Sequence, residues 1–332
     1  MLFPETQFQK IINEIFTQKL PKKIAVAVSG GLDSMALLLL FKNVFHKKIE
    51  IFCLTVDHNI RKNSHLDTKF VADFCAQNSI HCTILKSYLA NSPKVNIEGS
   101  LREMRYNLLT EFCAQNQIKH LFLAHHKQDL AENFLIRLFR GSGIDGLAAM
   151  PTILHCEERG YVAIQKLKII RPLLDFSKTD LKQYLQTKKV SWVEDETNQD
   201  EKFLRNKIRK FLQTLPDYEV INDRIALASK AILEAKEILA QNTKKNFPKI
   251  FKKNSSGLVL DITKFQKLKN SIATRYLALG LMQISNRVYK PRREKLERIY
   301  QLIMENKLNK KEEFYGCELK KLSEKEILIS KK

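Results

Sequence analysis

The residues that most clearly predict chemistry form a short turn, Ser29-Gly30-Gly31-Leu32-Asp33-Ser34, between an apolar run and an apolar helical pattern. Two glycines let the backbone approach an anion closely, and N–H groups at a helix start face phosphate oxygens. The hydroxyls of Ser29 and Ser34 add donors, and Asp33 can hold the Mg²⁺ that accompanies a triphosphate. A tight turn with a capping Ser or Asp has the same spacing. No Walker A lysine follows, which disfavours an ordinary P-loop kinase or GTPase.

Two carboxylates form a second candidate site. Asp129 and Glu132 lie one helical turn apart, so both can point into one pocket. The same spacing at a helix start is also typical of a capping box. His125 and His126 precede the pair, but the spacing fits no zinc hydrolase motif. A G-x-G-x-x-G match over 141–146 follows a helix instead of a strand, which predicts a helix stop and not a dinucleotide site.

Arginines recur at helical spacings in the same part of the chain. Glu98 and Arg102 form an i,i+4 pair, and Arg102 and Arg105 share a face. Arg205 and Arg209 are also four residues apart, opposite an apolar face. Such a fork can contact phosphates of ATP or RNA. A solvated basic face or a salt-bridged helix would give the same pattern.

The elements that position these residues are short apolar runs alternating with helical patterns. This alternation predicts a parallel sheet covered by helices on both faces. An amphipathic helix is expected over roughly 5–19, and another helix over 177–189 with Ser177 as its N-cap. The strand-like runs cover 24–28, 49–56, 82–85 and 121–124.

A composition shift near Leu215-Pro216-Asp217 predicts a domain boundary. The fold class is therefore α/β, with a doubly wound parallel sheet over 1–215. A smaller, mostly helical domain is expected over 216–332, ending in a β-hairpin. Its predicted elements are a long helix over 218–245, a strand over 257–262, and helices over 264–284 and 291–306.

The amino-acid composition indicates which class of molecule this protein binds. The 332 residues include 57 Lys and Arg against 36 Asp and Glu, a net charge of +21, which makes a polyanion the default partner. The 44% apolar content excludes wholesale disorder. No apolar run approaches the ~18 residues of a membrane span, and the N-terminal residues lack the charged-then-apolar pattern of a signal peptide.

The cysteines form no C-x-x-C pair and show no regular spacing. They therefore predict reduced cytosolic thiols, and neither a disulfide framework nor a zinc site. They are Cys53, Cys75, Cys82, Cys113, Cys156 and Cys317.

The turn over 29–34 resembles the pyrophosphate-binding loop of the PP-loop ATP pyrophosphatases. Four further stretches resemble motifs of the tRNA(Ile)-lysidine synthetase family, which belongs to that superfamily. In chain order, the first two family motifs are V-D-H-G-L-R and N-x-E-x-x-A-R-x-x-R-Y. The third is A-H-H-x-D-D-Q-x-E-T followed by R-x-x-R-G-S-G-x-x-G-L-x-x-M, and the fourth is W-x-x-D-x-[ST]-N followed by [FY]-x-R-N-x-[IV]-R. The resemblance covers about 20–215 and returns weakly at 315–319. The matching stretches are 56–61, 96–106, 123–150 and 192–209.

Three positions depart from the family pattern. Gln128 stands where the family has Asp, Leu130 where it has Gln, and Asn133 where it has Thr. The resemblance implies that the family's lysine-holding pair is retained as Asp129 and Glu132. Because Gln128 replaces the first Asp of the family motif, a contact that this carboxylate makes in the family, such as one to a metal, is in question for this chain.

The resemblance implies that the wobble cytidine of tRNA(Ile) with a CAU anticodon is adenylated by ATP and then joined to free L-lysine. The products would be lysidine, AMP and pyrophosphate, and codon recognition would change from AUG to AUA. Asp33 would hold Mg²⁺, and the implied catalytic residues are Asp33, Arg102, Asp129 and Glu132. The implied ATP contacts are Ser29, Gly30, Gly31, Leu32, Asp33, Ser34, Asp57, His58 and His125. The implied tRNA or phosphate contacts are Arg105, Arg137, Arg140, Arg205, Asn206 and Arg209.

Two other functions compete: a PP-loop tRNA thiolase, and a tRNA-binding protein with a decayed ATP site. A thiolase usually recruits cysteines near the loop or a C-x-x-C pair, which the sequence lacks, and an intact turn at 29–34 disfavours decay. The expected enzyme is cytoplasmic and does not bind membranes. A homodimer is one expectation for its oligomeric state. The general base and the distinction of tRNA(Ile) from initiator tRNA(Met) stay open.

Overall fold

The computed structural model describes residues 3–57, 64–86, 97–155, 167–194, 204–287, 290–308 and 311–332. His58, the side chain of Glu98, Cys156 and the 195–203 part of the tryptophan-containing motif lie outside the described residues. The chain divides into two compact units, Met1–Leu233 and Glu234–Lys332.

The first unit is built on a six-stranded sheet in the order β3-β2-β1-β4-β6-β5. Five strands are parallel, and β5 runs antiparallel at the edge. The four predicted strands are present as β1 to β4, whereas β5 and β6 are too short to stand out as apolar runs. The strands are β1 (Lys23–Ala27), β2 (Glu50–Asp57), β3 (His81–Lys86), β4 (His120–Phe122), β5 (Ile153–His155) and β6 (Lys168–Ile170).

Helices cover both faces of this sheet, as predicted for a doubly wound fold. One core cluster packs α1, α2, α3 and α7 against the sheet, and a second packs α4 against the opposite face. The predicted cap of α7 is confirmed, because Ser177 Oγ accepts from the backbone N–H of Asp180 at 3.0 Å. The helices are α1 (Phe3–Ile15), α2 (Leu32–Phe45), α3 (Ser64–Gln77), α4 (Ile97–Gln115), α5 (Lys127–Phe139), α6 (Ile144–Leu147), α7 (Lys178–Thr187) and α8 (Leu204–Thr214).

The strand order reverses beside β1. Strands β1, β2 and β3 proceed toward one edge, while β4 lies on the other side of β1. The connections that leave β1 and β4 therefore diverge at the carboxyl ends of adjacent strands, which is where ligands bind in open α/β sheets. The turn over 29–34 follows β1 and the stretch over 123–129 follows β4, so the fold brings both candidate sites to one crevice.

Helix α9 (Tyr218–Ile250) crosses the division between the two units. Sequence composition placed the boundary after residue 215, but the compact units divide after Leu233. The reason is that Ala226 and Leu233 of α9 pack with Leu130 and Leu174 of the first unit. Neither α9 nor any other helix in the described ranges is both long and apolar enough to cross a membrane.

The second unit combines helices with a five-stranded antiparallel sheet in the order β7-β8-β11-β10-β9. The predicted terminal hairpin is present as β10 and β11, although it belongs to this larger sheet. The helix expected over 264–284 is divided in two near Lys267. The elements are β7 (Phe251–Asn254), β8 (Gly257–Asp261), α10 (Ile262–Gln266), α11 (Asn270–Ser285), α12 (Arg293–Met304), β9 (Glu312–Phe314), β10 (Cys317–Ser323) and β11 (Glu326–Lys331).

A buried carboxylate ties three helices of the first unit together. Glu5 Oε1 accepts from Asn43 Nδ2 at 3.2 Å and from the Tyr184 hydroxyl at 3.0 Å, and it lies 2.9 Å from Lys188 Nζ. Burial alone would raise the pKa of Glu5, but the hydrogen bonds from Lys188, Tyr184 and Asn43 hold it below its ordinary value. The ionised carboxylate therefore stabilises the folded chain.

We expect Glu5→Gln to reduce the free energy of unfolding at pH 7 by about 1–2 kcal/mol, because a charge-assisted contact is lost. The pKa of Glu5 is lower in the folded chain than in the unfolded chain, where a carboxyl group has a pKa of about 4.3. The stabilisation is therefore complete above about pH 4.3, and it is lost as the pH falls through the lower pKa of the folded chain. Thermal unfolding midpoints of wild type and variant should therefore converge in acid. The exposed Glu14→Gln on the same helix is the control. Curves that stay parallel from pH 7 to pH 3 would contradict this assignment.

Candidate active site

The turn between β1 and α2 has the geometry of an anion-binding loop. Gly30 adopts a left-handed φ of +85°, and Gly31 is the N-cap of α2 in an extended conformation. Ser34 Oγ accepts from the backbone N–H of Ser29 at 3.1 Å and donates to the carbonyl of Gly31 at 2.9 Å. These bonds fix the loop, and the first N–H groups of a helix have no partner within the helix itself. The turn thus presents backbone donors and the positive end of a helix dipole.

The tryptophan-containing stretch closes over this turn. The backbone N–H of Val193 donates to the carbonyl of Gly30 at 2.9 Å. A Cβ atom at Gly30 would lie 3.4 Å from Val193 Cγ2 and 3.5 Å from Val71 Cγ2. These are ordinary van der Waals distances, so it is the left-handed φ that favours glycine at this position.

We expect Gly30→Ala to raise the KM for ATP by at least about tenfold, because backbone strain of about 1–3 kcal/mol is relieved only by moving the loop. Gly141→Ala is the matched control, since Gly141 also has a positive φ, +67°, but a Cβ there meets nothing within 4 Å. Initial-rate kinetics over a range of ATP concentrations provide the measurement. Equal KM values for the Gly30 variant and the Gly141 variant would show that the loop does not bind the nucleotide.

His126 joins the loop after β1 to the loop after β4. Its Nε2 lies 3.4 Å from Asp33 Oδ2 and 3.7 Å from Asp129 Oδ2. Burial alone would lower the pKa of His126, but the carboxylates of Asp129 and Asp33 outweigh burial and raise it to about 9. His126 is therefore an imidazolium at neutral pH. It holds Asp33 and Asp129 together and neutralises one of the two charges.

The three departures from the family pattern each have a structural role. Gln128 Oε1 lies 3.0 Å from His126 Nδ1 and accepts from the backbone N–H of Lys178 at 3.0 Å. An amide oxygen serves the imidazolium as an acceptor without adding a third negative charge. Asn133 Oδ1 accepts from Arg205 Nη2 at 3.0 Å. Leu130 is buried in an apolar cluster.

Asp129 and Glu132 lie on one face of α5, but they have different partners. Asp129 Oδ2 accepts from the backbone N–H of His126 at 3.0 Å, so the cap of α5 joins His126 to Asp129. The capping box predicted as an alternative, with Asp129 as the N-cap and Glu132 as its partner, is therefore wrong by one turn. Burial would raise the pKa of Asp129, but His126, His125 and Arg205 hold it well below its ordinary value. Glu132 instead faces the two arginines of α8.

The Glu132 side chain is 2% exposed and is paired with both arginines. Arg209 donates to it from Nε at 2.7 Å and from Nη2 at 3.3 Å. Arg205 Nε lies 3.3 Å from Glu132 Oε2, although it is poorly aligned for a hydrogen bond. The arginine fork predicted from sequence is therefore directed at a protein carboxylate in this structure.

A second group of arginines surrounds His125. Burial lowers the pKa of His125 to about 3, although the negative charge of Asp129 acts in the opposite direction. The positive charges of Arg171, Arg102 and Arg105 lower the pKa of His125 further. Burial also lowers the pKa of Arg105, and the charges of Arg102 and Arg205 lower it further. Within the described part of the chain, no carboxylate forms an ion pair with Arg102 or Arg105. Cations held this close together favour an anion such as a phosphate.

The residues present fit a magnesium ion bound with a nucleotide. Asp33 Oδ1 is buried and has no hydrogen-bond partner in the described structure. A carboxylate oxygen is a ligand that Mg²⁺ accepts, usually together with phosphate oxygens and water. Asp33 also lies in the first turn of α2, beside the backbone donors of the loop.

Four other residues that the sequence predicts to contact ATP or RNA differ in position and burial. Asp57 is the last residue of β2 and reaches the same sheet edge. Arg137 Nη1 donates to the carbonyl of Gly146 at 2.6 Å and so ties α5 to α6. Arg140 is exposed at the end of α5, whereas Asn206 is buried on the inner face of α8. A surface contact with RNA therefore suits Arg140 better than Asn206.

Two residues at the site were missed by sequence reasoning as functional positions. His126 was set aside with the metal-ligand alternative, although its position three residues before Asp129 was a usable signal. Arg171 is 1% exposed, and its Nη1 donates to the carbonyl of Pro151 at 2.9 Å. Arg171 offered no clear sequence signal, because the strand before it, β6, is only three residues long.

The sequence of this chain is similar to that of known proteins over most of its length. A family model described as a PP-loop domain matches residues 4–215. The tRNA(Ile)-lysidine synthase of Wolbachia sp. subsp. Brugia malayi is 33% identical over 98% of this chain and 74% of its own length. That of Rickettsia typhi is 32% identical over 97% of this chain and 73% of its own.

A solved structure shows the same fold. The U34-tRNA thiolase NcsA from Methanococcus maripaludis superposes with a TM-score of 0.57 at 16% identity, covering 69% of this chain and 78% of that one. This likeness concerns the fold alone. The relatives match nearly the whole of this chain, and the PP-loop domain matches its first 215 residues apart from the first three. Together with the crevice at the β1–β4 switch point, these matches lead to one conclusion: the chain belongs to the tRNA(Ile)-lysidine synthase (synthetase) family.

Proposed function

We propose that this enzyme uses ATP to join free L-lysine to C2 of the wobble cytidine in tRNA(Ile) with a CAU anticodon. The observation that carries the proposal is the chain of contacts from Asp33 through His126 to Asp129, which places an anion-binding loop beside a carboxylate. In this proposal the crevice would supply the groups for two half-reactions, nucleotide activation and attack by an amine. The modified tRNA would read AUA instead of AUG.

In the first half-reaction, the C2 carbonyl oxygen of cytosine attacks the α-phosphorus of ATP. A bond forms between that oxygen and phosphorus, and the bond to the pyrophosphate oxygen breaks with its electron pair. Backbone donors at 29–34 and the charges of Arg102 and Arg105 would stabilise the leaving pyrophosphate. Mg²⁺, held by Asp33, would supply additional charge stabilisation when bound. The cytosine must leave the anticodon stack, at a modest cost in a single-stranded loop.

In the second half-reaction, the ε-amine of lysine attacks C2, and AMP leaves with the electron pair of the C2–O bond. Lysine has an ordinary pKa of about 10.4, so its amine must lose a proton before or during attack. Asp129 has a depressed pKa and is therefore better suited to hold the ammonium by charge than to accept its proton. Glu132 would complete the lysine site if lysine competes with Arg205 and Arg209 for its carboxylate.

The high positive charge would bring the tRNA to the enzyme. The second unit carries exposed basic residues, and we assign it to contacts with the tRNA body, while 1–233 carries catalysis. Such contacts provide affinity and steering but little discrimination between sequences. A cytoplasmic location and a homodimer stay predictions, the latter measurable by sedimentation. The exposed basic residues include Lys244, Lys245, Lys252, Lys253, Arg292 and Arg293.

Release of labelled AMP from ATP tests this function. We expect AMP to form only when lysine and tRNA(Ile) with a CAU anticodon are both present, without any sulfur donor. A transcript with uridine at the wobble position is the matched control and should give background release. AMP release that is unchanged with the uridine transcript would overturn the proposed substrate. A requirement for a sulfur donor would favour a thiolase instead.

A further inference from the structure

Three cysteines that are far apart in sequence meet inside the first unit. The sulfur atoms of Cys53, Cys75 and Cys82 all lie within 4.8 Å of one another. Cys53 of β2 and Cys82 of β3 are direct partners in the parallel ladder, and Cys75 belongs to α3, which packs on these strands. The sequence alone predicted no site here, because spacing along the chain does not show that α3 returns over its own strands.

We propose that Cys53, Cys75 and Cys82 form a binding site for a thiophilic divalent cation of the zinc class. Soft thiolate ligands select such ions over magnesium or calcium. The site is separate from the crevice that holds Asp33, and the inference does not rest on the proposed function.

The dimensions suit the ion. With Zn–S distances of about 2.3 Å, three sulfurs around one ion lie about 4 Å apart, so the observed separations require less than about 1 Å of contraction. Cys53 and Cys75 are fully buried, whereas Cys82 is partly exposed. An ion can therefore enter from the side of Cys82, where a water molecule can take the fourth position. Among the described residues no fourth protein ligand joins the group.

Metal binding by the three thiols has a defined charge and proton balance. Binding of M²⁺ to three thiols would give an M(S)₃ centre with one negative charge and release three protons to solvent, because thiolates are the ligands. Cys317 does not belong to this cluster, and its Sγ instead donates to the backbone carbonyl of Leu281 at 3.4 Å.

The position indicates a structural ion. Cys53 pairs with Val26 in the middle of the sheet, and Asp57 lies four positions further along β2, at the end of the strand that faces the crevice. At about 3.3 Å per residue, the cluster lies about 13 Å below that edge along the strand. An ion here would cross-link β2, β3 and α3 without contacting the nucleotide.

Titration of the full chain with Cd²⁺ tests the site, after reduction and removal of metals with a chelator. We expect an ultraviolet thiolate-to-cadmium absorption that saturates at one equivalent and is displaced by Zn²⁺. In Cys82→Ser the apparent affinity should fall at least 100-fold, whereas Cys113→Ser, which removes a buried cysteine outside the cluster, should bind like wild type. Zn²⁺ should raise the thermal unfolding midpoint of wild type and Cys113→Ser, and leave Cys82→Ser unchanged.

A measurement on the wild-type chain guards against a folding defect in the variant. Zn²⁺ should protect Cys82 from alkylation by iodoacetamide, as read from the mass of its peptide. Absence of a one-equivalent absorption, or equal absorption in Cys82→Ser, would overturn the proposal and leave three thiols that only pack together. Unprotected alkylation of Cys82 in saturating Zn²⁺ would overturn it as well.

Discussion

Replacing Asp33 by alanine is expected to lower the rate of tRNA-dependent AMP release on the order of 1,000-fold, equivalent to about 4 kcal/mol of transition-state stabilisation. Asp33 Oδ1 is buried without a hydrogen-bond partner in the described structure, so only Oδ2, which faces His126, contributes to the stability of the folded chain. The substitution removes the proposed magnesium ligand and one of the two carboxylates beside His126. The thermal unfolding midpoint should fall by a few degrees because of the lost His126 contact, whereas the loss of rate should be far larger than such a change in stability explains.

Asp33→Asn separates charge from shape, because the amide fills the same space but is a poorer ligand for a hard cation. It should lose most of the activity as well. Asp73→Ala, an exposed aspartate on α3, should behave like wild type. AMP release by Asp33→Ala within tenfold of wild type would remove Asp33 from the catalytic machinery. A lowered unfolding midpoint with unchanged release would assign it a structural role.

The second large effect is expected at Asp129. Asparagine can still accept the backbone N–H of His126, so Asp129→Asn preserves the cap of α5 while removing the charge. Removing one partner of a buried charged contact costs about 2–5 kcal/mol. We therefore expect the KM for lysine to rise by about 30-fold or more, while the KM for ATP changes less than about threefold.

Steady-state kinetics with lysine varied at saturating ATP and tRNA provide the measurement. Glu132→Gln is the companion variant, since its carboxylate faces Arg205 and Arg209. A rise in the lysine KM in both variants would support a shared lysine site. Wild-type lysine kinetics in Asp129→Asn would mean that this carboxylate serves only the helix cap and His126.

The parts of the site that are continuous in sequence could be predicted. A buried strand, two glycines and an apolar helix predicted the loop over 29–34, because each local preference agrees with the same strand–turn–helix structure. A helix cap in this stretch was also recognisable, although the sequence pattern predicts it between Asp129 and Glu132 and it forms one turn earlier, between His126 and Asp129. The sheet followed from apolar runs long enough to stand out.

The parts that depend on contacts between distant elements could not be predicted. The role of His126 depends on Asp33, which comes from another loop, and that of Glu132 depends on α8 packing against α5. The cysteine cluster likewise requires α3 to pack on β2 and β3. In the second unit, β7 and β9 are so short that the sequence pattern predicted only β8 and the terminal hairpin of the five-stranded sheet. Tertiary packing, and not local preference, determines each of these features.

The central claim is that this crevice joins lysine to the wobble cytidine of tRNA(Ile). Incubation with ATP, labelled lysine and a tRNA(Ile) transcript bearing a CAU anticodon tests it most directly, followed by digestion and mass analysis of the nucleosides. We predict one label per tRNA, carried on a cytidine whose mass has increased by one lysine with loss of water, and no label on initiator tRNA(Met). Unlabelled tRNA(Ile), under conditions where the protein is folded and binds ATP, would contradict the account.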